Sequence, residues 1–169
     1  MIDKVEEEFT GKGTILSKLS SYEYRDGQLE MAKTLSRALE LEANLMIEAG
    51  TGIGKSFAYL IPLIYWTMAH NNKAVVATGT KVLQSQLVSK DLPFLASHSD
   101  IPFKYEILFG QENFFCRRRA GAITQYGLFD DPGQASELKK IADWAMTESG
   151  IFEDYPEPVS PGLRQQISR

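Results

Sequence analysis

The run Ile47-Glu48-Ala49-Gly50-Thr51-Gly52-Ile53-Gly54-Lys55-Ser56 joins a short apolar stretch to a glycine-rich turn that ends in Lys-Ser. Glycines let the backbone take conformations that a Cβ forbids, and they bring successive N–H groups within reach of phosphate oxygens. Lys55 is placed to reach the β- and γ-phosphates of ATP as a point charge, and the Ser56 hydroxyl to join the shell of a Mg²⁺ ion. A helix beginning near Lys55 adds its positive dipole end beneath the same phosphates. The strict pattern G-x-x-x-x-G-K-[ST] asks for glycine at position 49, where this chain has alanine, a small change. Three glycines alone can mark a tight surface connection. Here the strand-like Leu45-Met46-Ile47 precedes them and the apolar helix candidate Phe57-Ala58-Tyr59-Leu60-Ile61 follows, the context in which such a loop binds phosphate. Gly50, Thr51, Gly52, Ile53, Gly54, Lys55 and Ser56 are therefore the candidate ATP-binding residues, with Lys55 the candidate catalytic group.

Outward from the loop, residues 55 to about 70 are apolar on more than one face, which predicts a buried helix, and Pro62 is expected to kink or break it. Lys73-Ala74-Val75-Val76-Ala77-Thr78 reads as a fully buried strand, so that strand, loop, helix and strand make a right-handed βαβ unit. Upstream, Met31, Leu35, Ala38 and Leu39 share one helical face, and Asp26 can cap that helix from outside. Gln28 sits in its first turn. A glutamine amide offers both a donor and an acceptor to an adenine edge, and a Tyr or Arg nearby can stack on the purine. A glutamine at a helix start is otherwise a solvated residue. Residues before about Ser21 read as an irregular lead-in with one helical turn around Ile15 to Leu19.

Downstream, Thr78-Gly79-Thr80 closes the second strand and a helix opens at Val82-Leu83-Gln84-Ser85-Gln86-Leu87. Hydroxyls at the carboxyl end of a parallel strand lie where α/β sheets place ligands and could hold a nucleic-acid phosphate; Thr80 could equally just cap the helix. Pro93 is expected to end that helix, and Lys104-Tyr105-Glu106-Ile107-Leu108-Phe109 alternates as a further strand does. The segment Gly110-Gln111-Glu112-Asn113-Phe114-Phe115-Cys116-Arg117-Arg118-Arg119 then combines aromatics, the only thiol and three arginines. Such a run can track a sugar-phosphate backbone and stack bases, or form a solvated face; a lone cysteine can be a small buried hydrophobe. Ser136 to Met146 is amphipathic with Ser136 as its cap, and the Pro-rich tail past Gly150 shows no core of its own.

Composition bounds these readings. With 169 residues, 43% hydrophobic and 24% charged, the chain can bury one core, and its net charge of -4 supplies no global field toward nucleic acid or anionic membrane. One cysteine excludes an internal disulfide. The acidic N-terminus is no signal peptide, and no run approaches the roughly 18 apolar residues that span a bilayer, so a cytoplasmic protein without membrane partners is expected.

Together these motifs resemble the DinG family of DNA helicases, relatives of the eukaryotic XPD group in helicase superfamily 2, from about residue 9 onward. Tyr22-Glu23-x-Arg25-x-x-Gln28 is similar to the family's adenine-reading Q motif, and 48–56 to its motif I, where alanine at the first position is normal. Thr78-x-Thr80 with Leu83-Gln84-x-Gln86-Leu87 resembles motif Ia, which in the family touches single-stranded DNA; Gly79 replaces a histidine often found there. Residues 113–119 resemble the first-cysteine segment of the iron-sulphur insertion, and Trp144-Ala145 with 147–150 also fits it. The resemblance thus implies Tyr22, Arg25 and Gln28 at adenine, and Thr78, Thr80 and Gln84 at single-stranded DNA with Arg117, Arg118 and Arg119 assisting. It makes Cys116 one of four [4Fe-4S] ligands. It also implies a partial RecA-like P-loop domain, a parallel sheet with flanking helices over 1–110, followed over 111–169 by the beginning of a mostly helical insertion.

Much of the family's machinery lies outside these residues. A four-iron cluster needs four thiolates, and this chain has one. No D-E-x-H segment is present, and Leu128-Phe129-Asp130-Asp131, an apolar-acid run, is framed by Gly127 and Pro132-Gly133 as a turn. The sequence reads as the N-terminal part of an ATP-dependent, 5′-3′ DNA helicase that binds ATP but lacks the segments needed in cis for turnover. A truncated chain, a fragmentary reading frame and a naturally short relative all have this pattern. A non-catalytic nucleotide-binding or interaction module is the competing reading, and a small-molecule kinase a third, disfavoured by the position of Gln28 and the Cys116 segment.

Overall fold

In the computed structural model, which describes residues 1–20 and 22–169, the chain divides into two units, Met1–Glu106 and Ile107–Arg169. Each has its own apolar core. The first is built on three mutually packed helices, α1 (Ile2–Phe9), α2 (Asp26–Glu40) and α3 (Lys55–His70). The lead-in expected to be irregular contains α1, because Val5, Glu8 and Phe9 recur at helical spacing and all three are buried. The expected turn is present at Leu16–Lys18, and the end of the lead-in at Ser21 lies outside the described residues.

Glu8 is a carboxylate inside this core. Its Oε2 accepts from the Ile15 N–H (2.9 Å), and its Oε1 from the Thr14 N–H (3.3 Å) and the Tyr65 hydroxyl (3.0 Å). One side chain thereby joins α1, the following loop and α3. Gly13 lies so close that any Cβ there would collide with the Glu8 side chain and backbone. Burial, reinforced by the Glu8 carboxylate, pushes the Tyr65 phenol well above its usual range.

Helix α2 opens one residue after Arg25, with Asp26 in its first turn where it accepts from the Tyr24 hydroxyl at 2.8 Å. Its core face carries Gln28, Ala32, Ser36 and Ala38, so two polar residues stand where apolar ones were sought. Helix α3 runs through Pro62 without a break, and Pro62 is wholly buried. The fully buried Ala32 and Ala58 place small side chains on α2 and α3, which suits their close packing. Beyond Thr80, α4 (Lys81–Gln86) passes through a π turn (Leu87–Asp91) into α5 (Leu92–His98). Pro93 does not end this helical run as expected. Proline removes a backbone donor and crowds the carbonyl one turn back, and a widened turn relieves both within a continuing helix.

The parallel sheet is where expectation and structure part. Among the described residues no segment before Phe114 is paired as a strand: 43–50, 72–78 and 102–110 run without ladder partners. Met46 is 97%, Val75 89% and Leu108 85% exposed, so 73–78 is not the fully buried strand its composition predicts. The physical reason is that parallel strands are stabilised by neighbours along both edges and cover on both faces. Val-rich segments without those neighbours remain extended and exposed. Residues 101–110 nevertheless alternate between half-buried and exposed, the period-2 signature of a strand.

In the second unit α6 (Arg117–Tyr126), α7 (Pro132–Thr147) and α8 (Pro161–Ile167) enclose Ile123, Leu138, Ile141, Phe152, Leu163 and Ile167. The tail expected to lack a core supplies two of its fully buried side chains, Leu163 and Ile167. Helix α7 begins a turn before Ser136: Asp131 caps it by accepting from the Gly133 and Gln134 N–H groups at 2.7 and 3.2 Å. Asp130-Asp131 thus serve a turn and a helix start. Antiparallel bridges join Phe114 to Ile151 and Phe115 to Ser168.

Replacing Glu8 by Ala would leave the buried Ile15 N–H, the part-buried Thr14 N–H and a phenol without their acceptor, for an expected stability loss of about 1–3 kcal/mol. Chemical denaturation checks this; an unchanged midpoint would contradict the role given to Glu8.

Candidate nucleotide-binding site

The loop between Glu48 and Lys55 is held by side chains that bond its carbonyls. Gln28, 4% exposed, donates its Nε2 to the Gly54 carbonyl at 2.8 Å. Arg25 donates from Nη1 to the Gly52 carbonyl and from Nη2 to Glu23 at 3.3 Å. Lys55 donates its Nζ to the Ala49 and Gly50 carbonyls at 3.0 and 2.8 Å. Gly52 and Gly54 both have left-handed backbone, φ +83° and +81°. Gly54 is doubly constrained, because a Cβ there would collide with the Gln28 amide. At Gly50 and Gly52 a Cβ would instead meet open space.

Four carbonyls, those of residues 49, 50, 52 and 54, are turned toward ammonium, guanidinium and amide donors. Helix α3 starts at Lys55 behind Gly54 with no side chain capping it, and the first N–H groups of any helix lack intrahelical acceptors. Thr51 is exposed and Ile53 half-buried. An open groove of about 500 Å³ flanks the loop, lined on one side by Gly27, Glu30, Met31 and Thr34 of α2 and on the other by residues that include Ala49, Gly50 and Ile53. Phosphate therefore fits the residues present: an open glycine cradle, one ammonium and a helix N-terminus.

Ser56 stands in the first turn of α3, half-buried. Asp91 ends the π turn, is 6% exposed, and accepts from Gln86 Nε2 at 3.4 Å. Burial pushes its carboxyl above the usual range, opposed by Gln86, Ser56 and Lys90 nearby. Burial also raises the Tyr59 phenol, with Ser56 opposing and Asp91 reinforcing. Asp91 and Tyr59 were not among the residues singled out from sequence. The signal for Asp91 was available: Leu87, Asp91 and Leu95 recur at i, i+4 and i+8, a carboxylate within an apolar stripe. A Mg²⁺ ion fits the Ser56 hydroxyl as ligand, since Mg²⁺ typically takes only one or two protein ligands beside phosphates and water.

The other candidates fall into separate groups. Tyr22 donates its hydroxyl to the Phe9 carbonyl at 2.7 Å and packs against the first core, with burial raising its phenol. Thr80 caps α4 by accepting from the Leu83 N–H at 3.2 Å, and the Thr78 hydroxyl donates to the Thr80 carbonyl at 3.2 Å. Gln84 is half-buried on α4. In the second unit Arg117 donates to the Ala145 carbonyl (3.1 Å) and Arg119 to the Ser168 carbonyl (2.8 Å), while Arg118 is exposed. Half-buried Cys116 precedes α6, its N–H donating to the Ile167 carbonyl at 2.7 Å. A four-thiolate cluster does not fit the single thiol of this chain, and no group of three metal-binding side chains occurs among the described residues. No helix is long and apolar enough to cross a membrane among the described residues.

Comparison with known proteins falls on the same residues. The DEAD/DEAH box helicase family matches residues 26–113, from the first residue of α2 through the loop and α3 to α5 and beyond. The ATP-dependent DNA helicase YoaA of Haemophilus influenzae is 33% identical over 161 residues, 92% of this chain and 24% of that protein. The ATP-dependent helicase DinG of Mycobacterium tuberculosis is 33% identical over 162 residues, 85% of this chain and 24% of that protein. A Bacillus subtilis protein named 3′-5′ exonuclease DinG is 35% identical over 107 residues, 63% of this chain and 12% of that protein. The chain thus spans about a quarter or less of these curated relatives. With the match covering more than half the chain and containing the loop that Gln28 and Arg25 hold, the chain belongs to the DEAD/DEAH box helicase family, alongside relatives named DinG and YoaA.

Proposed function

We propose that this chain is the nucleotide-binding N-terminal part of an ATP-dependent DNA helicase that moves 5′-3′ along single-stranded DNA and unwinds duplex. The observation that carries the reading is the loop itself, whose carbonyls are tied to Arg25, Gln28 and Lys55 while its glycine face is open beside a helix N-terminus. In this reading Lys55 exchanges the Ala49 and Gly50 carbonyls for ATP phosphate oxygens, and Ser56 contributes its hydroxyl to Mg²⁺. When bound there, a cation would supply charge that neutralises the phosphates. Tyr22, Arg25 and Gln28 serve the adenine end; of these, Arg25 and Gln28 also set the loop, so base recognition and phosphate binding share residues.

Residues 1–110 form part of the first RecA-like lobe in this proposal, and 111–169 the beginning of the iron-sulphur insertion with Cys116 as one of its four ligands. The extended segments 45–49, 73–78 and 104–109 are strands of a parallel sheet whose partners come from the remainder of the parent protein. Their exposed valine, methionine and leucine side chains support this, since parallel strands are covered on both faces. Thr78, Thr80 and Gln84 face the DNA strand, assisted by Arg118 and the flanking Arg117 and Arg119. A cytoplasmic location and a role in DNA repair accompany this assignment. Phosphoryl transfer depends on positioning and on charge supplied from several elements, so this chain alone binds ATP without turning it over. Steady-state ATPase with and without single-stranded DNA separates that from the competing readings. DNA-stimulated turnover by the 169-residue chain would contradict the assignment to an incomplete motor.

Two variants test the site. Lys55→Ala removes a charged donor worth about 1.5–3 kcal/mol, so Mg²⁺-ATP affinity is expected to fall roughly tenfold to a hundredfold. Equal affinity in a fluorescent-nucleotide titration would refute the phosphate loop. Gln28→Ala leaves the Gly54 carbonyl with the Ala58 N–H as its remaining donor, and is expected to lower the stability of the nucleotide-free chain by about 0.5–1.5 kcal/mol as well as to weaken ATP binding. Weakened binding at unchanged stability would show that Gln28 reads the base without holding the loop.

A further inference from the structure

The last carbonyls of a helix have no partner inside it and must find one in the surrounding chain. At the end of α1 the local turn meets three of them. The Thr10 N–H donates to the Glu6 carbonyl at 3.0 Å, the Gly13 N–H to the Glu7 carbonyl at 2.8 Å, and the Gly11 N–H to the Glu8 carbonyl at 3.3 Å. The carbonyl of Phe9 instead accepts from the Tyr22 hydroxyl at 2.7 Å, a group 13 residues further along. Helix α1 is a fixed post for that bond. Val5 and Phe9 are wholly buried in the first core, Glu8 accepts from Tyr65 of α3 at 3.0 Å, and Glu6 accepts from Lys33 of α2 at 2.6 Å.

Between Tyr22 and α2 lie Glu23, Tyr24 and Arg25, a stretch that joins no helix or ladder among the described residues. Arg25 is extended, φ -140° and ψ 118°, and from there donates to the Gly52 carbonyl of the loop. A segment without pairing of its own takes its course from its two ends. One end is the start of α2, which carries Gln28 to the Gly54 carbonyl. The other is Tyr22, whose N–H donates to the Leu19 carbonyl at 3.0 Å and whose ring packs on the first core. On the basis of the phosphate-loop reading above, we propose that Tyr22 is a positioning residue for the nucleotide loop: its hydroxyl, docked on the end of α1, fixes the segment from which Arg25 holds the Gly52 carbonyl. The links form a closed circuit. The loop is tied to Arg25, Tyr22 to α1, α1 through Glu8 to α3, and α3 begins where the loop ends. Without the hydroxyl bond Arg25 loses a fixed origin, and ligand binding must then order the loop at a cost in affinity. This role belongs to the hydroxyl and is separate from the part of the ring at the base.

The test uses the 169-residue chain and its Tyr22→Phe, Arg25→Ala and doubly substituted forms. A bound fluorescent nucleotide is displaced from each by Mg²⁺-ATP and, separately, by Mg²⁺-tripolyphosphate, which has no base. Tyr22→Phe keeps the ring and loses only the hydroxyl, and is expected to weaken both ligands by the same factor, about threefold to tenfold. In the Arg25→Ala background the same substitution should cost no further affinity. A loss confined to ATP would place the hydroxyl at the base, and losses that multiply in the double variant would show that it does not act through Arg25; either result overturns the proposal. So does a lowered denaturation midpoint with both affinities unchanged, the mark of a bond that serves only the fold. Should Tyr22→Phe fail to fold, all four chains are compared in trimethylamine oxide, which favours the folded state, and the same outcomes decide. A parent chain that fails to bind tripolyphosphate would overturn the phosphate-loop reading, and this proposal with it; a parent that binds both ligands beside an unaffected Tyr22→Phe would overturn this proposal alone.

Discussion

A glycine-rich loop has little structure of its own, and here its shape depends on hydrogen bonds from a neighbouring helix. Gln28 on α2 reaches the carbonyl of Gly54, and Arg25 just before that helix reaches the carbonyl of Gly52. Both glycines have left-handed backbone that only glycine adopts without strain. The constraint runs both ways: Gly54 has no room for a side chain because Gln28 occupies the space, and Gln28 can be buried because Gly54 gives it an acceptor. Packing of α2 on α3 then determines where the loop lies, since the loop's end is the start of α3.

The same economy recurs in the first unit. Its buried polar groups, Glu8, Gln28, Ser36 and Asp91, each bond to a partner, and two of them link separate elements. Glu8 joins α1 to α3 and Gln28 joins α2 to the loop, while Ser36 and Asp91 bond within their own helical runs. Buried polar groups are costly when unpaired and specific when paired, so these contacts define the arrangement more narrowly than the apolar core could. The second unit follows a different pattern, in which guanidinium groups of Arg117 and Arg119 bond backbone carbonyls near the ends of α7 and α8.

Local chemistry was legible in the sequence wherever it is carried by a few residues at fixed spacing. The loop, the helix behind it, the helix beginning beside Gln28 and the turn at Asp130-Asp131 could all be placed from residue type and periodicity. Less legible was anything that depends on a distant partner. The helix of Ile2–Phe9 is short and acidic, and its apolar face has meaning only once α2 and α3 cover it. The helical runs through Pro62 and Pro93 persist because tertiary packing outweighs a local penalty. Strand-like segments at 45–49, 73–78 and 104–109 have the right residues for a sheet, but a sheet is a property of pairs, and pairing partners cannot be read from a segment. Asp91 escaped notice because a carboxylate in a helix is usually a solvated residue, and only its coincidence with the Leu87–Leu95 stripe distinguished it.

The central claim is that nucleotide binds at the loop clasped between α2 and α3. Amide hydrogen exchange of the intact chain, with and without Mg²⁺-ATP, addresses it most directly. The account predicts slowed exchange across residues 50–56 and the first turn of α3, with exchange in residues 107–169 unchanged. Protection confined to the second unit, or none at the loop under saturating nucleotide, would contradict it.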